Sequence, residues 1–210
     1  MTDPHAKAAG RDDSAALDPD AAAAEARLFS RLDHLGIVFR LYRHPPVGTV
    51  DEAQARRGEI PGGHNKCLFL KDKAGNRILA VVDEQRRVDL GALTRFLRLK
   101  RLSFGSPDRL RETLAVQPGS VTPFALINAT PARADAAASD PTSGPSLSHV
   151  LLDAAMLEND PLNYHPLHNA ATVAISPQDL LAFVRACGFM PRIVDFETMT
   201  ERPVASSPPH

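Results

Sequence analysis

Two short apolar segments around a turn-rich loop place the strongest constraint on how this chain can fold. Residues 67–71 (CLFLK) and 77–82 (RILAVV) are rich in aliphatic side chains, and residues 72–76 (DKAGN) between them are typical of a turn. This pattern predicts an antiparallel β-hairpin. Because side chains alternate along a strand, Lys66 shares a face with the leucines of the first strand. A cation on an apolar face is costly unless it has a partner or reaches water.

The rest of the chain mixes helical and strand patterns without a strict βαβ order. Apolar spacing, caps and glycine stops predict helices from about residue 22 to Gly36, over 90–97, from Pro107, and from Pro177 to Gly188. Further strands are predicted at 37–42, 147–152, 171–175 and 193–194. A capping box at Thr49–Glu52 predicts a short helix that ends at about Arg57. Residues 116–128 are predicted to be a loop that leads into a short strand. These elements predict an α/β fold of mixed, α+β-like type with a mixed sheet.

Composition predicts one domain with a loose segment at each end. The chain has 210 residues, of which 43% are hydrophobic, so a single sizeable core is expected. Residues 1–21 are acidic and aperiodic, which predicts a disordered tail before a domain of residues 22–197. Residues 198–210 are expected to be a loose C-terminal tail. The Ala/Pro/Ser-rich residues 131–146 are predicted to be a flexible surface excursion.

The cysteines and the N-terminal residues bear on the compartment. Cys67 and Cys187 are the only cysteines and form no C-x-x-C pair, so a disulfide framework is not expected. The N-terminal residues are charged and include no apolar h-region, and the longest aliphatic run, Ile78–Val82, is too short to cross a bilayer. We therefore expect a cytoplasmic protein with no membrane partner.

The charge is unevenly distributed, although the net charge is only -1. Residues 86–112 contain eight basic and three acidic side chains, which could meet a phosphate backbone. The alternative interpretation is an ordinary solvated helix face. The sequence alone leaves both open, and the residues in question include Arg95, Arg98, Lys100 and Arg101.

Three places have residues suited to chemistry. The first is Asn65-Lys66 at the start of the hairpin. The second is residues 119–123 (GSVTP), where glycine allows close backbone approach and free amides can bind an oxyanion. The third is residues 165–169 (HPLHN). Each has a plainer explanation, respectively a strand-end charge, a turn glycine and a structural loop histidine.

Several other chemistries find no support in the sequence. His165 and His168 are three residues apart, but no acidic or cysteine ligand stands at a convincing spacing nearby, so we predict no metal site. The chain has no Gly-x-Ser-x-Gly elbow, no P-loop and no G-x-G-x-x-G. We therefore expect no cofactor.

Taken together and in this order, five segments resemble the YbaK-like family of aminoacyl-tRNA deacylases, and most closely its free-standing prolyl-tRNA editing proteins. The segments are HPPVGTVDEA (44–53), NKCLFLKD (65–72), VDLGALTRFLRLKRLSFGSPDRL (88–110), PGSVTPFALIN (118–128) and NYHPLHNAATVAISPQDLLAF (163–183). The resemblance implies a mixed, partly barrel-like β-sheet surrounded by helices. It covers most of residues 28–190, and the stretch at 131–146 departs from it.

The resemblance also implies a site. Lys66 corresponds to the key lysine of the family, and the loop that begins at Gly119 would wrap the terminal adenosine and the aminoacyl group, while His165 would line the pocket. The implied substrate-binding residues are Asn65, Ser120, Val121, Thr122, Pro123 and Asn169. Arg95, Arg98, Lys100 and Arg101 are expected to contact tRNA.

The implied activity is hydrolysis of mischarged Ala-tRNA(Pro) in trans, with water as the nucleophile. A Cys-tRNA(Pro) or other aminoacyl-tRNA deacylase is the alternative within the family. A noncatalytic nucleic-acid-binding module and a small-molecule amino-acid ester or amide hydrolase are the alternatives outside it. Besides tRNA, the resemblance admits prolyl-tRNA synthetase or an elongation factor as partners.

Overall fold

The computed structural model describes residues 17–45, 60–132 and 145–203. Its helices are α1 (Pro19–His34), α2 (Leu90–Leu97), α3 (Pro107–Leu114) and α4 (Pro177–Ala186), with 3₁₀ helices at Pro123–Asn128 and Met156–Glu158. Its strands are β1 (Phe39–Arg43), β2 (Gly63–Lys71), β3 (Arg77–Asp83), β4 (Ser103–Phe104), β5 (Thr130–Pro131), β6 (Ser146–Leu147), β7 (His149–Asp153), β8 (Leu162–Tyr164), β9 (Ala171–Ile175), β10 (Arg192–Asp195) and β11 (Thr200–Arg202). The predicted capping box at Thr49–Glu52 and the helix after it lie outside the described residues.

A mixed sheet forms the centre of the described fold. Its strand order is β1-β9-β8-β2-β3-β7-β10-β11, and β4 pairs with the end of β2. The predicted hairpin is confirmed, because β2 and β3 are antiparallel with Cys67 opposite Val81. β2 pairs in parallel with β8, as β7 does with both β3 and β10. Parallel and antiparallel ladders in one sheet, with helices packed against it, confirm the predicted mixed α/β fold.

Side-chain alternation divides the sheet into two faces, each with its own apolar cluster. The first cluster packs against α1, α3, α4 and the first 3₁₀ helix, and it includes Leu28 and Phe183. The second lies under α2 and includes Leu93. Along β2, Phe69 joins the first cluster and Leu70 joins the second. The leucine side of β2 is therefore the side that faces α2.

Helix α1 begins earlier than the sequence predicts. The Asp18 carboxylate accepts hydrogen bonds from two backbone N–H groups of the first turn, and Pro19 is the first helical residue. Residues 19–21 are therefore helical, and the prediction of a disordered tail over 1–21 is wrong for them. Residues 1–16 lie outside the described part of the chain.

Two predictions for later segments are also wrong. Residues 123–128 form a 3₁₀ helix and not a strand, because the Thr122 hydroxyl caps the helix by accepting from the backbone N–H of Phe124 at 3.3 Å. Residues 200–202 pair with β10, so the tail predicted to be loose from residue 198 contains a strand.

The predicted excursion of residues 131–146 is joined at its two ends. β5 and β6 form a short parallel ladder in which Pro131 lies opposite Leu147. Residues 133–144 lie outside the described residues. Within the described ranges, no helix is long and apolar enough to cross a membrane.

Candidate active site

The amine of Lys66 is held at the start of β2. Its Nζ donates a hydrogen bond to the backbone carbonyl of Glu84 at 2.8 Å, and the residue is half-buried. Glu84 is in turn held close, because its N–H donates to the carbonyl of His64. The cation therefore has a neutral backbone partner, which orients the amine without neutralising its charge. This arrangement differs from a side chain that snorkels into bulk water.

The strand register places Lys66 among other polar side chains. His64 lies opposite Asn163 in the parallel ladder of β2 and β8, and opposed residues present their side chains on one face. Alternation along β2 adds Lys66 to that face, and His165, the first residue after β8, follows Asn163 by two positions. Asn163 is opposite Ala174 in β9, which extends the face to Thr172. We call this set the polar face; its members are His44, His64, Lys66, Asn163, His165 and Thr172.

Two histidines of the polar face are oriented by backbone carbonyls. His165 Nδ1 lies 3.0 Å from the carbonyl oxygen of Ala171, so the neutral ring has its proton on Nδ1. His44 Nδ1 is 3.0 Å from the Pro45 carbonyl, and its Nε2 is 3.0 Å from Thr172 Oγ1. The two ring centroids are 6.3 Å apart. This independent contact confirms that His165 is on the same face as Thr172.

A buried ion cluster fixes the loop after His165. His168 is 7% exposed, and its Nε2 is 2.7 Å from Oε2 of Glu25 on α1. The N–H of Ala170 donates to His168 Nδ1, so Nε2 bears the proton and donates to the carboxylate. Both Glu25 oxygens also accept from Arg43, each at 2.6 Å. Burial acts to raise the pKa of Glu25, but the hydrogen bonds from His168 and Arg43 outweigh it and lower the pKa.

The predicted loop of residues 119–123 packs against the first apolar cluster, on the side of the sheet that faces away from α2. Gly119 is exposed with φ +87, and the Ser120 N–H donates to the carbonyl of Gln117. Val121 packs against the first cluster, and Ser120, Thr122 and Pro123 are buried. The hydroxyl of Thr122 is used as a helix cap. The loop can therefore contact a ligand through the backbone of Gly119 and not through these side chains. That Gly119 and Lys66 contact the same ligand stays a prediction.

A residue adjacent in sequence to each of the three predicted sites packs in the first apolar cluster. Cys67 follows Lys66, Phe124 follows the glycine loop, and Tyr164 precedes His165; all three belong to this cluster. The rings of Phe124 and Tyr164 stack edge to face, with centroids 6.0 Å apart. Burial raises the pKa of the Cys67 thiol, so it is not a thiolate nucleophile at neutral pH.

The remaining predicted residues have simpler positions. Asn65 Nδ2 donates to the carbonyl of Gly63 at 3.2 Å, and Asn169 is half-buried in the histidine loop. Within the described ranges, no three His, Cys, Asp or Glu side chains come together as a metal centre would require. The site as described therefore offers a cation, oriented imidazoles and backbone amides. Such groups suit the stabilisation of a developing negative charge.

Comparison with known proteins assigns this arrangement to a family. Residues 44–183 match the family model described as the aminoacyl-tRNA editing domain. The chain belongs to this family. It is therefore a hydrolase that removes amino acids from tRNA, and this membership disfavours the noncatalytic module and the small-molecule hydrolase. The editing domain includes Lys66, the glycine loop and the histidine loop.

Named relatives match this chain over nearly their whole length. Prolyl-tRNA synthetase associated domain-containing protein 1 of Mus musculus is 33% identical over 177 residues, which cover 82% of this chain and 96% of that protein. The prolyl-tRNA editing protein ProX of Acetoanaerobium sticklandii is 32% identical over 173 residues, with coverages of 82% and 95%. The crystal structure of a candidate trans-editing enzyme for prolyl tRNA synthetase has a TM-score of 0.58 at 22% identity, covering 85% of this chain and 98% of that one. This last similarity concerns the fold.

The basic stretch of the editing domain divides into two kinds of residue. Arg86 is 16% exposed and belongs to the fold, because it bonds to Asp153 at 3.1 Å and to Glu197 at 2.6 Å. Arg111 pairs with Asp108 on α3. The four predicted tRNA contacts are exposed around the end of α2; they are Arg95, Arg98, Lys100 and Arg101.

Some residues of the site were missed by sequence reasoning. Glu25 had a detectable signal, because it lies three and seven residues before Leu28 and Leu32 on the apolar stripe of α1. A carboxylate on such a stripe requires a buried partner, which is His168. Asn163 had no such signal, since nothing in the sequence shows that its strand is buried on both faces.

Proposed function

We propose that this editing domain acts in trans to hydrolyse mischarged Ala-tRNA(Pro). The observation on which the proposal depends is the half-buried amine of Lys66, held by the Glu84 carbonyl on the face that also presents His165. One relative is named as a prolyl-tRNA editing protein and another for its association with prolyl-tRNA synthetase, and these names support the tRNA(Pro) part of the proposal.

In the proposed reaction, the oxygen of a water molecule attacks the ester carbonyl carbon. The bond from that carbon to the ribose oxygen then breaks, the ribose oxygen takes a proton, and alanine leaves as the free amino acid. The ester is already activated, so positioning and stabilisation of the oxyanion supply most of the acceleration. No protein nucleophile is required.

Each residue has a proposed role. The Lys66 ammonium stabilises negative charge on the transition state or on a phosphate. Backbone amides around Gly119 bind the carbonyl oxygen. His165 orients the substrate or the water, since its Nδ1 is directed at the carbonyl of Ala171. A free ribose hydroxyl of the substrate assists in orienting the water.

Discrimination against cognate Pro-tRNA(Pro) is proposed to come from steric exclusion. One or two methylene groups give only about 1–3 kcal/mol by attraction, so a pocket too small for proline is the stronger device. A Cys-tRNA(Pro) deacylase would require a pocket that also accepts a thiol.

Binding of the tRNA body is proposed to use the exposed cations at the end of α2. A double variant, Arg98→Glu with Arg101→Glu, should weaken tRNA binding by about ten-fold or more at low salt and reduce the salt dependence of binding. Lys73→Glu, in the exposed hairpin turn, is the matched charge-reversal control.

A panel of tRNA(Pro) charged with alanine, cysteine or proline tests the function. Purified protein should release labelled alanine and leave Pro-tRNA(Pro) intact over the same period. Faster release of cysteine than of alanine would establish the alternative specificity. Release of neither amino acid would exclude editing of tRNA(Pro).

A further inference from the structure

Two amide oxygens near Lys66 lack hydrogen-bond partners. Among the described residues, the buried side-chain polar atoms without a partner are Oδ1 of Asn65 and Oδ1 of Asn163. These residues lie on the neighbouring strands β2 and β8, and Asn163 is only 5% exposed. Buried polar atoms in folded proteins are almost always paired. Asn65 lies on the opposite face of β2 from Lys66, whereas Asn163 shares the face of His64 and Lys66. The orphan Oδ1 of Asn163 therefore indicates that a donor from outside the chain belongs on this face.

The orientation of the Asn163 amide is determined by its other hydrogen bond. Nδ2 donates to the carbonyl of Pro61 at 3.0 Å. A flipped amide would set its oxygen against that carbonyl oxygen, so Oδ1 is the atom that remains without a partner. This atom can be satisfied only by an N–H or O–H group.

The position of Asn163 connects this acceptor with the proposed chemistry. Its pairing with His64 places it on the polar face, together with Lys66 and His165. The neighbouring Tyr164 points to the opposite face, where it packs into the first cluster. A substrate lying over Lys66 and His165 thus meets the side of β8 to which Asn163 belongs.

We propose that Asn163 Oδ1 accepts a hydrogen bond from the aminoacylated terminal adenosine of the tRNA. The proposal rests on the deacylase function proposed above. The reacting end of that substrate has two suitable donors, the α-ammonium group of the amino acid and the ribose hydroxyl beside the ester. Asn163 is a substrate-binding residue in either case, and it contributes orientation where Lys66 contributes charge.

The test compares Asn163→Leu with Asn128→Leu. Both asparagines donate Nδ2 to a backbone carbonyl, but Asn128 bonds to Leu114 in the contact between α3 and the 3₁₀ helix. With Ala-tRNA(Pro), N163L should lower kcat/KM by about ten-fold, the effect of one lost hydrogen bond, while N128L should stay within about two-fold of the wild type. If N163L proves unfolded by its thermal transition, Asn163→Ser replaces it, because a serine hydroxyl is too short to reach the same donor.

Altered substrates identify the donor. Wild type and N163L are each assayed with propionyl-tRNA(Pro), which lacks the α-amino group, and with Ala-tRNA(Pro) that ends in 2′-deoxyadenosine. The substrate that lacks the relevant donor should slow N163L by about ten-fold less than it slows the wild type, because the bond is already missing in the variant. Any slowing common to both proteins reflects the separate role of the ribose hydroxyl in orienting the water. Losses that add fully for both substrates would overturn the proposal, as would wild-type kinetics in N163L. Failure of the wild type itself to release alanine would instead refute the proposed function.

Discussion

His168 Nε2 lies 2.7 Å from Glu25 Oε2, across 143 residues of sequence. The contact joins α1 to the loop that begins at His165, and Arg43 completes the cluster from the end of β1. Helix α1 thus restrains the loop that begins at His165 through one carboxylate.

Replacing this carboxylate should destabilise the fold. Glu25→Gln leaves Arg43 and His168 without an anionic partner, and we expect the free energy of unfolding to fall by about 2 kcal/mol, since Arg43 is partly exposed. Urea denaturation measures the change. Glu112→Gln is the control, because Glu112 lies 3.9 Å from Arg77 and more than half of its side chain is exposed. An equal loss of unfolding free energy in both variants would contradict the prediction.

The same cluster predicts a pH dependence. The pKa of Glu25 is lowered in the folded protein from its ordinary value of 4.5, so its stabilising effect is complete above that value and disappears as pH falls through the lowered pKa. The difference in unfolding free energy between wild type and E25Q should therefore be complete above pH 4.5 and shrink as the pH falls below that value. A difference that stays constant with pH would show that the carboxylate charge is not involved.

Lys66→Ala should abolish most deacylation and leave the fold intact. Removing a group that stabilises an oxyanion typically costs about 100-fold or more in kcat. Single-turnover release of alanine and the thermal transition are measured together, with Lys73→Ala in the exposed hairpin turn as control. Wild-type rates in K66A would remove the basis of the proposed mechanism.

Gly119 and Gly36 form a matched pair. Both have positive φ, +87 and +66, and a Cβ added at either would meet no atom within 4 Å. Gly119→Ala and Gly36→Ala should each cost about 1 kcal/mol of stability through backbone strain. Only G119A should also slow deacylation, because only that backbone is proposed to bind the carbonyl oxygen. Equal activity in the two variants would exclude this role.

Arg86 offers a comparison between a buried and an exposed partner. Asp153 is 1% exposed and Glu197 is 75% exposed, yet both bond to the same guanidinium. Asp153→Asn should lower the free energy of unfolding by about 3 kcal/mol, whereas Glu197→Gln should lower it by less than about 1 kcal/mol. Chemical denaturation of both variants tests the contrast; similar losses would mean that burial is not decisive here.

Sequence reasoning located the parts of the fold that depend on local patterns. The hairpin, α2 to α4 and β9 follow from apolar spacing and from caps such as Ser106 and Ser176. The segment at 123–128 was mispredicted because its apolar residues suit a strand as well as a buried 3₁₀ turn. Thr122, the cap that decides between them, resembles an ordinary loop residue.

The site was predictable only where one residue type stood out. Lys66 was conspicuous as a cation leading an apolar strand. Whether Lys66 and His165 lie on the same face of the sheet depends on the parallel pairing of His64 with Asn163. These two residues are 99 positions apart in the sequence. Long-range pairing of this kind leaves no local pattern.

That pairing also limits how β2 can change. β2 is held in parallel by β8 at its start and antiparallel by β3 along its length, so neither neighbour can follow a shift of the strand. An inserted or deleted residue between Gly63 and Lys66 would move the lysine side chain to the face of the first apolar cluster and the Cys67 side chain to the opposite face. Evolution can exchange side chains here more easily than it can alter the number of residues.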